Sequence, residues 1–251
     1  MIIVGNGRVG GALFALGQSA GVPVQMAQRS GLRTCMDQDS KCPILICTNA
    51  GDLRGLIQGV GAAERHRLVF IQNGMIDDAL RRLGCEDCTR GLLYFAVSTR
   101  GADIVPGGAS IFAGPLAAEL EAWFGRIGLP ASAVSRAEFT SEMASKLIWN
   151  CTFGLLCDVH GQSVGALVQE RRELVDGLVA ELCGVANAAL GSRLEPVRVS
   201  EDLCAYSLSI PTYTGSLKQW QWRNGWFVET GRVLSIPTPI HSRLLVDLNP
   251  A

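Results

Sequence analysis

Met1-Ile2-Ile3-Val4-Gly5-Asn6-Gly7-Arg8-Val9-Gly10 opens the chain. Three apolar residues, Ile2 to Val4, lead into glycines at positions 5, 7 and 10, a G-x-G-x-x-G spacing. From Gly11 to about Ser19 the pattern then turns helical. Strand, glycine turn and helix are the parts a dinucleotide pyrophosphate needs. The first glycine makes a tight turn, the second lets the backbone approach the phosphates, and the third lets the helix pack on the strand. In a chain with 29 glycines the spacing alone is weak evidence, and it is the flanking strand and helix that favour a nucleotide over an ordinary turn. Gly5, Asn6, Gly7, Arg8, Val9 and Gly10 are therefore read as cofactor-binding.

The next strand is expected at about Val22 to Gln28. An NAD site commonly ends this strand with an acid that holds the ribose hydroxyls. No Asp or Glu occurs between Met1 and Met36; the strand runs instead into Gln28, Arg29 and Ser30, with Arg33 shortly after. A guanidinium binds a 2′-phosphate through paired charge-assisted hydrogen bonds. The pattern favours NADP(H), with Arg29 on the phosphate and Arg33 closer to an ordinary solvated charge.

Outward from this stretch, the composition sets bounds. Apolar residues make up 48% of the 251 and charged residues 18%, which supplies a sizeable core. The net charge of −1 gives no basic surplus for nucleic acid, and no apolar run is long enough to span a bilayer. With an apolar strand beginning at Ile2, no signal peptide is expected. The nine cysteines, an odd number spread through apolar segments, suit reduced thiols, so a cytoplasmic location is expected. Cys85 and Cys88 form one C-x-x-C, but a structural zinc site wants four ligands and no second pair joins them. The expected partner is a small-molecule substrate, with no metal, nucleic acid or membrane, and a homodimer is allowed.

Strand-like and helix-like runs alternate up to about Pro130. Strands are expected at Cys42 to Cys47, Leu68 to Ile71 and Leu92 to Val97, and helices at Asp52 to Val60, Asp77 to Leu83 and Glu119 to Ile127. Ile104 to Gly108 and Ser110 to Pro115 read as an antiparallel pair closing the sheet. The alternation predicts a parallel sheet with helices on both faces, whose ligands sit at the carboxyl ends of the strands. Thr48, Asn49, Asn73 and Gly74 stand at such ends and are expected to face the cofactor. After Pro130 the chain turns helical, with runs at Glu138 to about Val159 and Glu170 to Leu190, then an aromatic and polar segment from Ser207 to Phe227. The fold class expected is α/β: a Rossmann-like domain over residues 1–133 and a mainly α-helical domain over 134–251, packed closely over a shared cleft.

Lys146 and Asn150 are four residues apart and share a helix face amid Leu147, Ile148, Trp149 and Phe153. A lysine in an apolar helix either snorkels to solvent or is placed for function. Here it is suited to protonate a carbonyl oxygen as hydride arrives at the carbon, and partial burial would lower its pKa toward working pH.

Four blocks together give the chain a recognisable pattern: Gly5-Asn-Gly-Arg-Val-Gly10 with Arg29, Gln72-Asn73-Gly74-Met75, Lys146-Leu-Ile-Trp-Asn150-Cys151, and Arg223-Asn224-Gly225 followed by Ile236-Pro237. Over most of its length the chain resembles the 2-dehydropantoate (ketopantoate) 2-reductase family of pantothenate biosynthesis. The resemblance implies an NADPH-dependent, two-domain reductase. It implies that Lys146 is the general acid, that Asn150 binds substrate, and that Asn73 contacts nicotinamide or substrate.

The departures from the family pattern lie mostly in the substrate half. Gly154 stands where the family has a second asparagine, and Asn49 where a basic residue often follows the third strand. Counting back from Asn224-Gly225, the family's substrate-binding glutamate falls on Gln219 and its serine on Ser207, with Pro211 at a position that is often acidic. Glu229 and Ser216 are the nearest alternative carboxylate and hydroxyl. Three functions stay open: an NADPH-dependent reductase of a small 2-oxo acid, a protein that binds or senses NADP(H) without turnover, and a reductase of another carbonyl or imine. Lys146 argues against the second, because a sensor needs no general acid. The tryptophans at 220, 222 and 226 could serve the third by lining a larger apolar pocket, or could simply be core or interface.

Overall fold

A computed structural model describes residues 1–28, 31–39 and 41–248. The chain divides into two compact units, Met1–Phe139 and Thr140–Ala251.

The first unit alternates strand and helix: β1 (Ile2–Val4), α1 (Arg8–Ser19), β2 (Gln25–Ala27), α2 (Leu32–Gln38), β3 (Ile44–Ile46), α3 (Leu53–Ile57), β4 (Leu68–Phe70), α4 (Asp77–Arg82), β5 (Thr89–Leu92), β6 (Phe95–Ala96), β7 (Val105–Pro106), β8 (Ser110–Ala113), α5 (Ala117–Arg126) and β9 (Ala131–Ala133). Among the described residues seven of these strands form one sheet in the order β2-β1-β3-β4-β5-β8-β9. The strands from β2 through β5 pair in parallel, β8 runs antiparallel to β5, and β9 runs parallel to β8. Ile2–Val4, Ile44–Ile46 and Leu68–Phe70 are buried along their whole length, as strands covered on both faces must be. One face packs on α1 and α5 through Leu13, Leu120, Trp123 and Phe124, with the Phe124 ring 4.9 Å from that of Phe112. Because β2 and β3 flank β1 on opposite sides, the order of the sheet reverses at β1, and the carboxyl ends of β1 and β3 frame the crevice where such sheets bind ligands.

Three expectations change here. Helix α1 begins at Arg8 rather than Gly11, because Gly7 already serves as its N-cap. The expected strand at Leu92 to Val97 separates into β5 and β6. The Ile104 and Ser110 segments do not pair with each other. Val105–Pro106 joins Phe95–Ala96 in a separate two-stranded ribbon, and Ser110–Ala113 enters the main sheet beside β5.

The second unit is built on helices: α6 (Arg136–His160, whose first turn falls in the first unit), α7 (Val164–Glu170), α8 (Arg172–Leu190), α9 (Pro196–Ser209), α10 (Asn224–Leu234) and α11 (Pro239–Leu248). The expected helix at Glu170 to Leu190 is α8, which starts two residues later at Arg172; α7, which was not expected, ends at Glu170, and Ser163 caps it through the Ala166 N–H. No element was expected between Leu190 and Ser207, where the structure has α9, which starts at Pro196 with the Glu195 side chain accepting from the Val197 and Arg198 N–H groups. A proline at the first helical position with an acidic cap before it is a recognised start signal.

His241 is fully buried in α11. Glu181 accepts hydrogen bonds from the backbone N–H groups of Ile240 and His241. The ring Nε2 lies 2.8 Å from Asn224 Oδ1, so the neutral Nε2–H tautomer fits, and Nδ1 has no partner. Burial pushes its pKa down to about 4. An unfolded histidine titrates near ~6.5, so between that pH and about 4 the unfolded chain takes up a proton that the folded unit refuses. Stability should therefore fall as pH drops through this window, by on the order of 3 kcal/mol in total. Thermal melts from pH 7 to 4 should show a steeper decline for the parent than for His241→Gln; parallel curves would exclude this ring as the acid-sensitive group.

Candidate functional site

In the first unit the glycine turn and the end of β3 meet without side chains between them. Gly5 has φ +106°, a conformation open to glycine, and a Cβ there would stand 3.1 Å from Thr48 Cγ2. A Cβ on Gly10 would lie 2.0 Å from the Gly5 carbonyl oxygen and 3.0 Å from Cys47 Cβ, so only glycine lets α1 sit this close to the turn. Gly7 is the opposite case: a Cβ there would meet nothing within 4 Å. The turn thus has one glycine for conformation, one for packing and one facing open space. No side chain caps α1 and no acid stands in its first turn, which leaves a helix start suited to an anion. Asn6 and Arg8 are exposed and Val9 is partly buried; Arg8 donates to the Ser98 carbonyl at 3.2 Å.

Across the crevice, Gln72 donates from Nε2 to the carbonyls of Ile46 at 2.8 Å and Thr48 at 3.0 Å, tying the end of β4 to the end of β3. Its own Oε1 and the Thr48 hydroxyl are buried without hydrogen-bond partners. Gln72 was legible in the sequence only as part of the Gln-Asn-Gly block; a glutamine closing an otherwise apolar strand was the available signal. Asn49 and Asn73 are exposed, with Gly74 turning at φ +96° after Asn73. Arg29 lies outside the described residues. Arg33 is held by Asp37 at 2.9 Å and Glu64 at 2.6 Å, an exposed cluster that occupies its guanidinium.

In the second unit Lys146 and Asn150 are half-buried on one face of α6, and Arg223 reaches the same place from the start of α10. Asn150 donates to the Lys146 carbonyl at 2.7 Å and accepts from Arg223 Nη1 at 3.3 Å. Burial first, and then the Arg223 charge, push the Lys146 pKa down to about 8. Desolvation also lowers the Arg223 pKa from its ordinary value. A buried cluster of this kind can hold an anion and give up a proton near neutral pH.

The surrounding backbone fixes Arg223. Gln219 takes a left-handed conformation at φ +52°, and the 3₁₀ turn Trp220–Trp222 follows. A Cβ on Gly225 would come within 2.8 Å of the Trp220 carbonyl oxygen, so glycine there lets the turn fold onto the first residues of α10. Asn224, bonded to His241, is the next residue on. Arg223 therefore comes from a constrained corner rather than a loose loop. The tryptophans lie on this turn and the start of α10, not along a single helix.

The expected substrate residues are not all brought together. Ser207 is fully buried; its hydroxyl donates to the Leu203 carbonyl at 2.8 Å and accepts from Trp149 Nε1 at 3.0 Å. Gln219 is exposed, Ser216 is partly buried, and Glu229 is engaged by Arg232 at 2.7 Å on the surface. Gly154 has a steric reason: a Cβ there would lie 2.9 Å from the Ser216 carbonyl oxygen, so the segment Gly215–Leu217 fills the space a side chain at 154 would use. Trp149 gathers Tyr206, Tyr213 and Phe153 around it at ring distances of 5.2, 5.8 and 5.7 Å.

Comparison with known proteins places this geometry in context. Residues 138–249 match the family model described as ketopantoate reductase PanE/ApbA C terminal. No curated protein matches the sequence. Among solved structures, a PanE/ApbA family ketopantoate reductase from Ralstonia eutropha JMP134 is similar at 19% identity and TM-score 0.74, over 99% of both chains. A 2-dehydropantoate 2-reductase from Geobacter metallireducens GS-15 is similar at 18% identity and TM-score 0.75, also over 99% of both. A D-mandelate dehydrogenase solved with NADH and anilino(oxo)acetate is similar at 16% identity and TM-score 0.75, over 99% of this chain and 97% of that one.

The two contrasting glycines give a direct check. Gly7→Val should leave the melting temperature nearly unchanged, since its side chain enters open space, yet abolish NADPH binding measured by calorimetry. Gly10→Ala should cost about 1–3 kcal/mol or more and lower the melting temperature by several degrees, because a methyl group cannot fit beside the Gly5 carbonyl. NADPH binding retained by folded Gly7→Val would reduce the motif to a structural turn.

Proposed function

We propose that this chain, whose residues 138–249 match the ketopantoate reductase PanE/ApbA C-terminal family model, is an NADPH-dependent reductase of a small 2-oxo acid, with Lys146 as the general acid. The observation that carries this reading is the half-buried Lys146, its pKa pushed down to about 8, bonded through its carbonyl to an asparagine that also holds Arg223.

The cofactor would be bound by residues 1–133 and the substrate by residues 134–251. Gly5, Asn6, Gly7, Arg8, Val9 and Gly10 would cradle the pyrophosphate, with Thr48 and Asn49 beside them. The fit is supported by the open space at Gly7 and the unpartnered Thr48 hydroxyl. Arg29 would take the 2′-phosphate, and the engagement of Arg33 with Asp37 and Glu64 supports that choice. Asn73 would contact nicotinamide or substrate. NADPH supplies the hydride; Lys146 gives its proton to the developing alkoxide, and Asn150 keeps the neighbouring groups in register. Gln219 would replace the family glutamate. Ser207 would serve the substrate indirectly, by holding Trp149. A cytoplasmic homodimer is the setting proposed for this activity.

Two observations favour a substrate other than ketopantoate. The backbone at Gly215–Leu217 occupies the position of the second asparagine, and the aromatic group around Trp149 offers an apolar wall. An acid with an apolar or aromatic side chain suits such a wall better than one with a hydroxyl.

NADPH oxidation, followed by absorbance over a panel of 2-oxo acids that includes ketopantoate and phenylglyoxylate, tests the activity. The same assay tests the residues. Lys146→Ala should lower kcat by ~10²–10⁴-fold with NADPH affinity unchanged, whereas near-parental kcat would assign the proton to another group. A general acid must carry its proton, so parental kcat should fall as pH rises above about 8. A plateau extending toward ~10.4, the ordinary lysine value, would contradict the role. Arg29→Ala should weaken NADPH roughly tenfold or more and spare NADH, because only the 2′-phosphate contact is lost. Equal affinities of the parent for the two nucleotides would refute the choice of NADPH.

A further inference from the structure

Arg223 stands in the second unit's half-buried cluster, and its partners do not neutralise it. Its Nη1 donates to a neutral amide oxygen, Asn150 Oδ1, at 3.3 Å. Its Nε is buried with no hydrogen-bond partner. Among the described residues it makes no ion pair with any carboxylate, although most arginines of this chain that meet a partner meet an acid. The sequence explains why: no Asp or Glu occurs between Asp202 and Glu229, and Glu229 is bonded to Arg232. A guanidinium that is partly desolvated and left with a free buried donor costs stability, unless something else supplies the negative charge.

The placement is built. The Gly225 contact with Trp220 sets the corner, and Asn150 orients the guanidinium from α6. The neighbouring cation is Lys146, one helical turn from Asn150 and close enough for the Arg223 charge to lower its pKa. Two cations side by side, one of them short of an acceptor, define a site for an anion with a second polar group next to it. A carboxylate accepts two parallel N–H donors from a guanidinium, and the two terminal nitrogens offer such a pair.

We infer that Arg223 is the carboxylate anchor of the substrate site: it binds the carboxylate of the 2-oxo acid through its guanidinium terminal nitrogens, which leaves the adjacent carbonyl oxygen for Lys146. This deepens the reductase reading and rests on it for the identity of the acid, though not for the presence of an anion site. Asn150 is then a positioning residue that aims Arg223. The sequence carried a signal for the anchor, a lone arginine amid aromatic residues in an acid-free stretch, of the same kind as the missing acid that pointed to Arg29.

The test uses oxamate, which carries a carboxylate beside an amide carbonyl and is not reduced, titrated into the intact protein by calorimetry with NADPH present and absent. The parent should bind oxamate and bind its neutral methyl ester at least roughly tenfold more weakly. Arg223→Met should weaken oxamate by ~10–100-fold, Arg223→Lys by less, and Lys146→Met by less than Arg223→Met. Circular dichroism verifies the folding of each variant; if Arg223→Met does not fold, the comparison of acid and ester on the parent and the Arg223→Lys result decide. No oxamate binding by the parent, equal binding of acid and ester, or parental affinity in Arg223→Met overturns the anchor. The two readings fail separately. Binding of oxamate through Arg223 with no 2-oxo acid consuming NADPH would sink the reductase and keep the anchor. Turnover of a 2-oxo acid with unchanged KM in Arg223→Met would do the reverse.

Discussion

Both units are organised by places where one backbone meets another with no room for a Cβ. In the first unit Gly10 lies against the Gly5 carbonyl, so α1 starts immediately beside the end of β1. In the second, Gly154 lies against the Ser216 carbonyl, and Gly225 lies against Trp220. Each contact excludes every side chain larger than hydrogen, and each fixes a corner from which polar groups project. The glycine turn leaves space at Gly7 and an uncapped helix start. The Gly225 corner delivers Arg223 to Asn150. The open space at Gly7 and the placement of Arg223 follow from steric exclusion at neighbouring glycines.

Electrostatics then determine what these corners can bind. The first lacks an acid through Met36, and the second through the whole span from Asp202 to Glu229. An absent carboxylate is as much a feature of the site as a present cation, because a buried guanidinium with its own acid would be satisfied and closed to a ligand. The contrast appears within the protein itself. Arg33 is occupied by Asp37 and Glu64, and Arg232 by Glu229, whereas Arg223 keeps a buried donor unpaired. Lys146 belongs to the same balance, since burial and the Arg223 charge both disfavour its proton.

How much of this was legible depended on whether the signal was local. The parallel sheet and the glycine turn were legible because apolar runs such as Ile44–Ile46 and the G-x-G-x-x-G spacing are local, and the sheet's covered faces require them. The pairing of Val105–Pro106 with Phe95–Ala96 was not, because partner choice between short strands is set by tertiary packing. The helix α9 was hidden by its polar surface, and α7 by its brevity, seven residues from Val164 to Glu170. In the second unit, Lys146 and Asn150 stood out through their spacing. Ser207 was selected by counting along the chain, which cannot register that Trp149 and Leu203 would take up its hydroxyl. Gly154 read as a missing asparagine until the Ser216 carbonyl supplied its steric reason.

The proposed reaction moves a hydride to the carbonyl carbon of a 2-oxo acid while a group of the protein protonates the oxygen. The most direct measurement follows the atom: incubate the protein with NADPH deuterated at the transferable C4 position and a 2-oxo acid, then examine the product by mass spectrometry and NMR. The account predicts one deuterium on C2 of a single enantiomer of the 2-hydroxy acid, with equimolar NADP⁺. Recovery of unreduced acid and intact deuterated NADPH, across acids with small, branched and aromatic side chains, would contradict it.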